Sequence, residues 1–192
     1  MSRQWIQTLE NRKLTPLDLL VDQVGSIEEI AHALAGKFRF TCQTRERYSV
    51  AEHCVRGSLL LPPIFAGAFL LHELSEVYLP DIAGPIKSYV CVDAGPVDGV
   101  TTWMELERHH TKTILTALEL ASIEPLIYCR EIQEMDRAML AAEKRDLCGP
   151  EPESWGIGDP AKTQIDRVWS PDAASSAFLA RYYELFFGNR HG

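Results

Sequence analysis

Residues 72–76 read His72-Glu73-Leu74-Ser75-Glu76, and they interrupt a run that is apolar from residue 59 to 71. On a helix, His72 and Glu76 lie one turn apart on one face, with Glu73 turned about 100° away. Carboxylates placed in apolar surroundings are costly unless they are paired or bound to a cation. Two more residues are out of character with their neighbours. His53 sits beside Cys54 in a second apolar-rich stretch, and Asp136 sits between Met135 and Met139. Two imidazoles and two carboxylates drawn from three helices form a donor set suited to a divalent transition metal. Such an ion lowers the pKa of bound water and clamps phosphoryl oxygens. Asp81, five positions after Glu76, adds a further acid at the mouth of the following loop. The plainer alternative is a helix leaving the core at residue 72, with a hydrogen-bonded histidine and solvated glutamates; no HExxH motif is present to decide the matter.

The elements that must carry these residues read almost entirely as helix. Ser26 caps a helix over 27–36 with Ile27, Ile30, Ala31 and Leu34 as its apolar stripe, and 38–47 reads as loop. Ser49-Val50-Ala51-Glu52 has the form of a capping box and opens the helix of His53, which stops before Pro62-Pro63. Pro63 starts a helix over 64–79, apolar nearly all round in its first turns and therefore central. Further helices are predicted over 101–120, 127–147 and 171–187, separated by the breakers Pro80, Gly84, Pro85, Gly149 and Pro150 and by a turn-rich loop at 156–159. The expected architecture is all-α, a compact helical bundle forming one domain over 1–192.

The chain carries 27 acidic against 19 basic residues, a net charge of −8, which sets it against duplex nucleic acid at long range. Its five cysteines are odd in number and include no CxxC pair, which argues against a disulfide framework and against a zinc ribbon. The first residues lack the apolar core of a signal peptide, and the run at 59–71 is too short, and too rich in proline, for a span of about 20 residues. A cytoplasmic protein with no membrane partner is expected.

The order His53 … His72-Glu73 … Asp136 resembles the H…HD…D signature of the HD-domain phosphohydrolase superfamily. The runs RERYSVAEH (45–53) and LHELSEVYLPDIAGPIK (71–87) are similar to segments of small phage and bacterial members, and DRAMLAAEKRDL (136–147) resembles their third block. The likeness covers about 27–185. One position departs from the pattern: Glu73 stands where the family has aspartate, one methylene longer and able to ligate after a small helix shift or through water.

The resemblance implies an HD-domain bundle in which His53, His72, Glu73 and Asp136 hold a divalent transition metal (zinc, cobalt or manganese), with an additional magnesium ion as an option. It implies that Glu76 orients or deprotonates the attacking water and that Asp81 assists the leaving oxygen or positions that water. Arg39 and Lys87 occupy positions at which relatives contact phosphate, with Arg45 and Arg47 as further candidates. Phe40 is placed to stack on base or sugar, with Thr41 and Cys42 shaping the same pocket. Tyr48 and Tyr78 are expected to be structural, His109 and His110 to be solvated or interfacial, and His32 to make a helix–helix contact. The implied function is hydrolysis of a small deoxynucleotide, with a dATP triphosphohydrolase releasing deoxynucleoside and triphosphate put first. A 5′-deoxynucleotidase and a degenerate, non-catalytic nucleotide-binding protein are the alternatives. Relatives are homo-oligomers, so a dimer or hexamer is expected, and the aromatic helix at 171–187 offers an apolar face either to a second subunit or to its own core.

Overall fold

Serine hydroxyls open the two helices on which the site is built. Ser26 accepts from the Glu29 amide at the start of α1 (Ile27–Ala35), and Ser49 accepts from the Glu52 amide at the start of α2 (Val50–Leu60). The computed structural model describes residues 5–93 and 99–188, so the reading of the first four residues lies outside the described residues. The reciprocal half of the box predicted at Ser49 is not made. The buried Glu52 carboxylate turns instead to Arg56 at 2.8 Å and to the Trp169 amide at 2.8 Å. A guanidinium satisfies a buried carboxylate more fully than a single backbone amide does.

The helix predicted over 64–79 is shorter. α3 (Pro63–Leu70) ends where Leu71 and Glu73 take φ/ψ of −108°/7° and −99°/21°, and the chain then tightens into a 3₁₀ turn at Leu74–Val77. A short helix, α4 (Gly84–Lys87), follows the loop. α5 (Trp103–Ala117) starts in a complete capping box between Thr102 and Glu105. The helix expected over 127–147 is two, α6 (Glu124–Ile127) and α7 (Arg130–Leu147), because Cys129 is extended at φ −72°, ψ 163°. α8 (Pro171–Phe187) is capped by Ser170 and has the predicted bounds.

The described residues are mostly helical rather than all-α. Two antiparallel hairpins, β1 (Ile6–Gln7) with β2 (Lys13–Leu14) and β3 (Cys91–Asp93) with β4 (Val100–Thr102), add small sheets. Strands of two or three residues are too short to show a period-two pattern in sequence.

The main core joins Ile30 and Leu34 of α1, Val50 and Cys54 of α2, Phe69 and Leu70 of α3, Ile114 of α5, Met139 of α7 and Phe178 of α8. α8 lies across α1, α2 and α3, burying Phe178 and Tyr182 while Tyr183 and Phe187 face outward, so its aromatics largely complete this chain's own core. α2 and α3 approach closely because Gly57 has no side chain: a Cβ there would stand 2.1 Å from the Phe69 ring. Two histidine expectations are overturned. His32 is exposed on α1, and His110 is fully buried on α5, donating through Nε2 to the Pro16 carbonyl at 2.7 Å. Its neighbour His109 stays exposed and reaches the Leu19 carbonyl at 3.1 Å. No described helix is long and apolar enough to cross a membrane.

Candidate metal centre

α2 brings His53, the residues just past α3 bring His72 and Glu73, and α7 brings Asp136. One ligand atom from each lies within 4.8 Å of all the others. His53 Nε2 is 3.3 Å from His72 Nε2 and 3.3 Å from Asp136 Oδ1; His72 Nε2 is 3.8 Å from the same oxygen and 3.5 Å from Glu73 Oε1. An ion with bonds of about 2.0–2.1 Å sets its ligand atoms about 3.0–3.4 Å apart, which the two 3.3 Å separations match and the 3.5 and 3.8 Å ones exceed by less than half an ångström.

Hydrogen bonds behind the ligands fix which nitrogens face inward. His53 Nδ1 bonds Glu143 Oε1 at 2.5 Å, and His72 Nδ1 bonds the Phe69 carbonyl at 2.6 Å. Acceptors on both Nδ1 atoms hold the protons there and leave two Nε2 lone pairs facing one another. Two lone pairs at 3.3 Å need a cation or a proton between them. Asp136 Oδ1 makes the same demand, being buried with no hydrogen-bond partner, although the side chain as a whole is 40% exposed. The break in α3 matters locally: unwinding after Leu70 frees the Phe69 carbonyl for His72. The Phe69 ring also packs on both imidazoles, with centroids 5.4 Å from His53 and 4.3 Å from His72.

Arg39, only 11% exposed, completes the cluster. Its guanidinium lies 3.3 Å from Glu73, 4.0 Å from Asp136 and 3.1 Å from Glu143. Burial works against its charge, but the Glu143, Asp136 and Glu73 carboxylates hold it well above the usual range. Three acids against one arginine leave net negative charge, the balance a divalent ion restores. Without such an ion a proton takes its role. Burial pushes the His72 imidazole down, but the facing Glu73 and Asp136 carboxylates and the Cys54 thiol raise it well above its ordinary value. Asp136 is held well below the carboxylate range, burial being outweighed by the two imidazoles it faces.

Glu143 is the functional residue that sequence reasoning missed. Fully buried, it bonds His53 with one oxygen and Arg39 with the other. It lies seven residues after Asp136, two turns along the same face of α7.

Glu76 and Asp81 lie on and just after the 3₁₀ turn, within electrostatic reach of Glu73, Arg39 and Lys87. Burial, then the Glu73 and Asp81 charges, push Glu76 well above the carboxylate range, and its Oε2 is buried without a partner. The turn is anchored by Lys37, whose ammonium donates to the carbonyls of Glu76, Val77 and Leu79. Lys87 pairs through Nζ with Glu107 of α5 at 2.8 Å and stays within electrostatic reach of Glu73 and Glu76. Arg45 is likewise committed, donating to the Cys148 carbonyl, and Arg47 covers the Phe38 ring. Phe40, Thr41 and Cys42 follow Arg39 in three successive left-handed conformations, φ 58°, 48° and 61°. Each costs about 1–3 kcal/mol for a residue with a Cβ, and such strain gathers at binding sites. Phe40 is half-buried, while Thr41 and Cys42 are exposed.

No protein-family model matches the chain. It is 28% identical over 162 residues to the uncharacterized protein YfdR of Escherichia coli (strain K12), a span covering 83% of each chain. That likeness brings no assigned chemistry, and the functional reading rests on the site.

Proposed function

We propose that the protein is a metal-dependent phosphohydrolase of the HD type that acts on a small deoxynucleotide. One observation carries the reading: His53, His72, Glu73 and Asp136 converge, with both Nδ1 atoms tied back, beside a buried arginine. A divalent ion held there supplies Lewis acidity and a lowered pKa for water.

The chain's own groups do the rest. Glu143 keeps the His53 lone pair directed inward and the Arg39 guanidinium oriented. Arg39 neutralises phosphoryl oxygens and holds them in line, since phosphoryl transfer depends chiefly on positioning and charge stabilisation. Glu76, with one oxygen free of protein partners, orients the attacking water and takes its proton. Asp81 protonates the leaving oxygen. The half-exposed Asp136 carboxylate marks the side open to solvent and substrate.

The cations at the site favour a monophosphate over the dATP triphosphate chemistry that the resemblance placed first. With Arg45 and Arg47 committed elsewhere, Arg39 contacts the ligand carboxylates directly while Lys87, paired with Glu107, acts on Glu73 and Glu76 from further off, and a triphosphate calls for more positive charge in contact than one guanidinium supplies. The test is a panel of the four deoxynucleoside monophosphates and four triphosphates with Zn²⁺, Co²⁺ or Mn²⁺, the product identified as orthophosphate or triphosphate. Orthophosphate from monophosphates, lost in Asp136→Ala, is expected. Metal analysis that comes back blank and a panel left uncleaved would transfer the case to a non-catalytic nucleotide-binding protein.

A further inference from the structure

Just ahead of α2, Tyr48 carries a hydroxyl that no contact described so far uses. The side chain is fully buried, and the hydroxyl has no hydrogen-bond partner among the described residues. A buried polar group in that position is costly and calls for an explanation. We propose that Tyr48 is a positioning residue for the site: through one buried water its hydroxyl steadies the Glu143 carboxylate, which in turn directs His53 and Arg39. This role rests on the metal-centre reading of the site.

The main chain of Tyr48 already holds Arg39. The Arg39 amide donates to the Tyr48 carbonyl at 2.9 Å, and the Val50 amide donates to the Lys37 carbonyl at 3.0 Å, on either side of a bridge between Phe38 and Ser49. The Tyr48 ring shares a small core with Leu147 and Ile165, and Leu147 stands one turn beyond Glu143 on α7. One residue thus pins the backbone of the arginine and lies beside the helix whose carboxylate aims it.

The charges around the hydroxyl say what it does. Burial, then the Glu143 and Glu52 charges, hold the phenol well above its ordinary value, so it stays protonated and serves as a donor. The two carboxylates differ in spare capacity. Glu52 takes three donors, two Arg56 nitrogens at 2.8 Å on Oε1 and the Trp169 amide at 2.8 Å on Oε2. Glu143, equally buried, takes two among the described residues, His53 on Oε1 and Arg39 on Oε2. An ionised carboxylate offers about four acceptor positions, so the larger unmet need is at Glu143. Buried waters typically join about three such polar groups, and one between Tyr48 and Glu143 satisfies both. A carboxylate anchored on a third side does not swing away from His53 and Arg39.

Tyr48→Phe removes one oxygen and keeps the ring, so it tests the hydroxyl without opening the core. Were the hydroxyl linked to nothing, its removal would cost nothing. The His53 Nδ1 proton is followed by NMR in metal-free, isotope-labelled full-length protein, and Zn²⁺ affinity is measured against a chromophoric chelator. In Tyr48→Phe the proton resonance should move upfield and broaden as its bond to Glu143 loosens. Zn²⁺ affinity should fall about tenfold, the lower end of the range for partners behind a metal ligand. Added to Glu143→Gln, Tyr48→Phe should bring no further loss, because the hydroxyl acts through that carboxylate. A crystal structure of the wild type should hold the bridging water; a dry gap there overturns the link. An unchanged resonance with unchanged affinity, or a loss that simply adds to that of Glu143→Gln, overturns the role and leaves the metal centre standing. A wild type that takes up no Zn²⁺ removes the metal-centre reading, and the His53 resonance then decides on Tyr48 alone.

Discussion

Glu143 serves two functional side chains with one carboxylate: Oε1 fixes the His53 tautomer and Oε2 aims Arg39. Partners behind a ligand commonly carry a factor of about ten to a hundred in metal affinity. Glu143→Gln should therefore fold, yet lose affinity by that factor in competition with a chromophoric chelator, and should weaken phosphate binding as Arg39 loses its counter-charge. His72 was legible as the polar end of an apolar run, His53 and Asp136 through their place beside Cys54 and between Met135 and Met139 and through the order His53 … His72-Glu73 … Asp136. Glu143 was not, because the run Glu143-Lys144-Arg145-Asp146 reads as a solvated face, and only its two-turn spacing from Asp136 pointed inward. Lys87 has a partner the sequence did not announce: Glu107 of α5 pairs with it while Glu73 and Glu76 stay within its electrostatic reach.

At the scale of elements, the site depends on how α3 ends. Its hydrophobic run continues through Leu74, Val77 and Leu79 with no glycine or proline to mark a break. Periodicity therefore extended the helix past the point where it unwinds. Lys37 stabilises the tightened turn by meeting three carbonyls at once, although burial lowers its ammonium to about 8. Lys37→Met leaves those acceptors unpaired, and each unsatisfied buried group costs about 1–3 kcal/mol. Denaturant titration should show a loss of at least that size, with kcat falling more than KM as Glu76 loses its support. Gly57→Ala makes a second, independent test. The added methyl drives the Phe69 ring toward His53 and His72, and overpacking typically costs about 1–3 kcal/mol. Metal content should fall along with stability.

For the whole molecule, helical class and most helix positions were readable from caps and apolar stripes. The strands of the two hairpins are too short to leave a local pattern, and the burial of His110 is set by packing against the N-terminal segment at Pro16. Burial lowers His110 to about 4, against roughly 6.5 in an unfolded chain. The unfolded state then binds more protons between these values, so stability is full above about pH 6.5 and is lost as pH falls toward 4, by about 3 kcal/mol. His110→Gln, which keeps a donor for the Pro16 carbonyl, should flatten that acid limb in pH-dependent unfolding. Chelation acts at the same scale. A ligand at a hundred times its dissociation constant adds about 2.7 kcal/mol, and removing the ion should lower Tm by roughly 5–10 °C in a chain of this length.

The Phe69 ring touches both imidazoles and occupies the space that Gly57 leaves open, which has a consequence for how the protein matures. Until α2 and α3 have closed on that ring, His53 and His72 are two separate weak donors and not a chelate. A cation held at this site would therefore load late in folding, after a freshly made chain has reached its packed form.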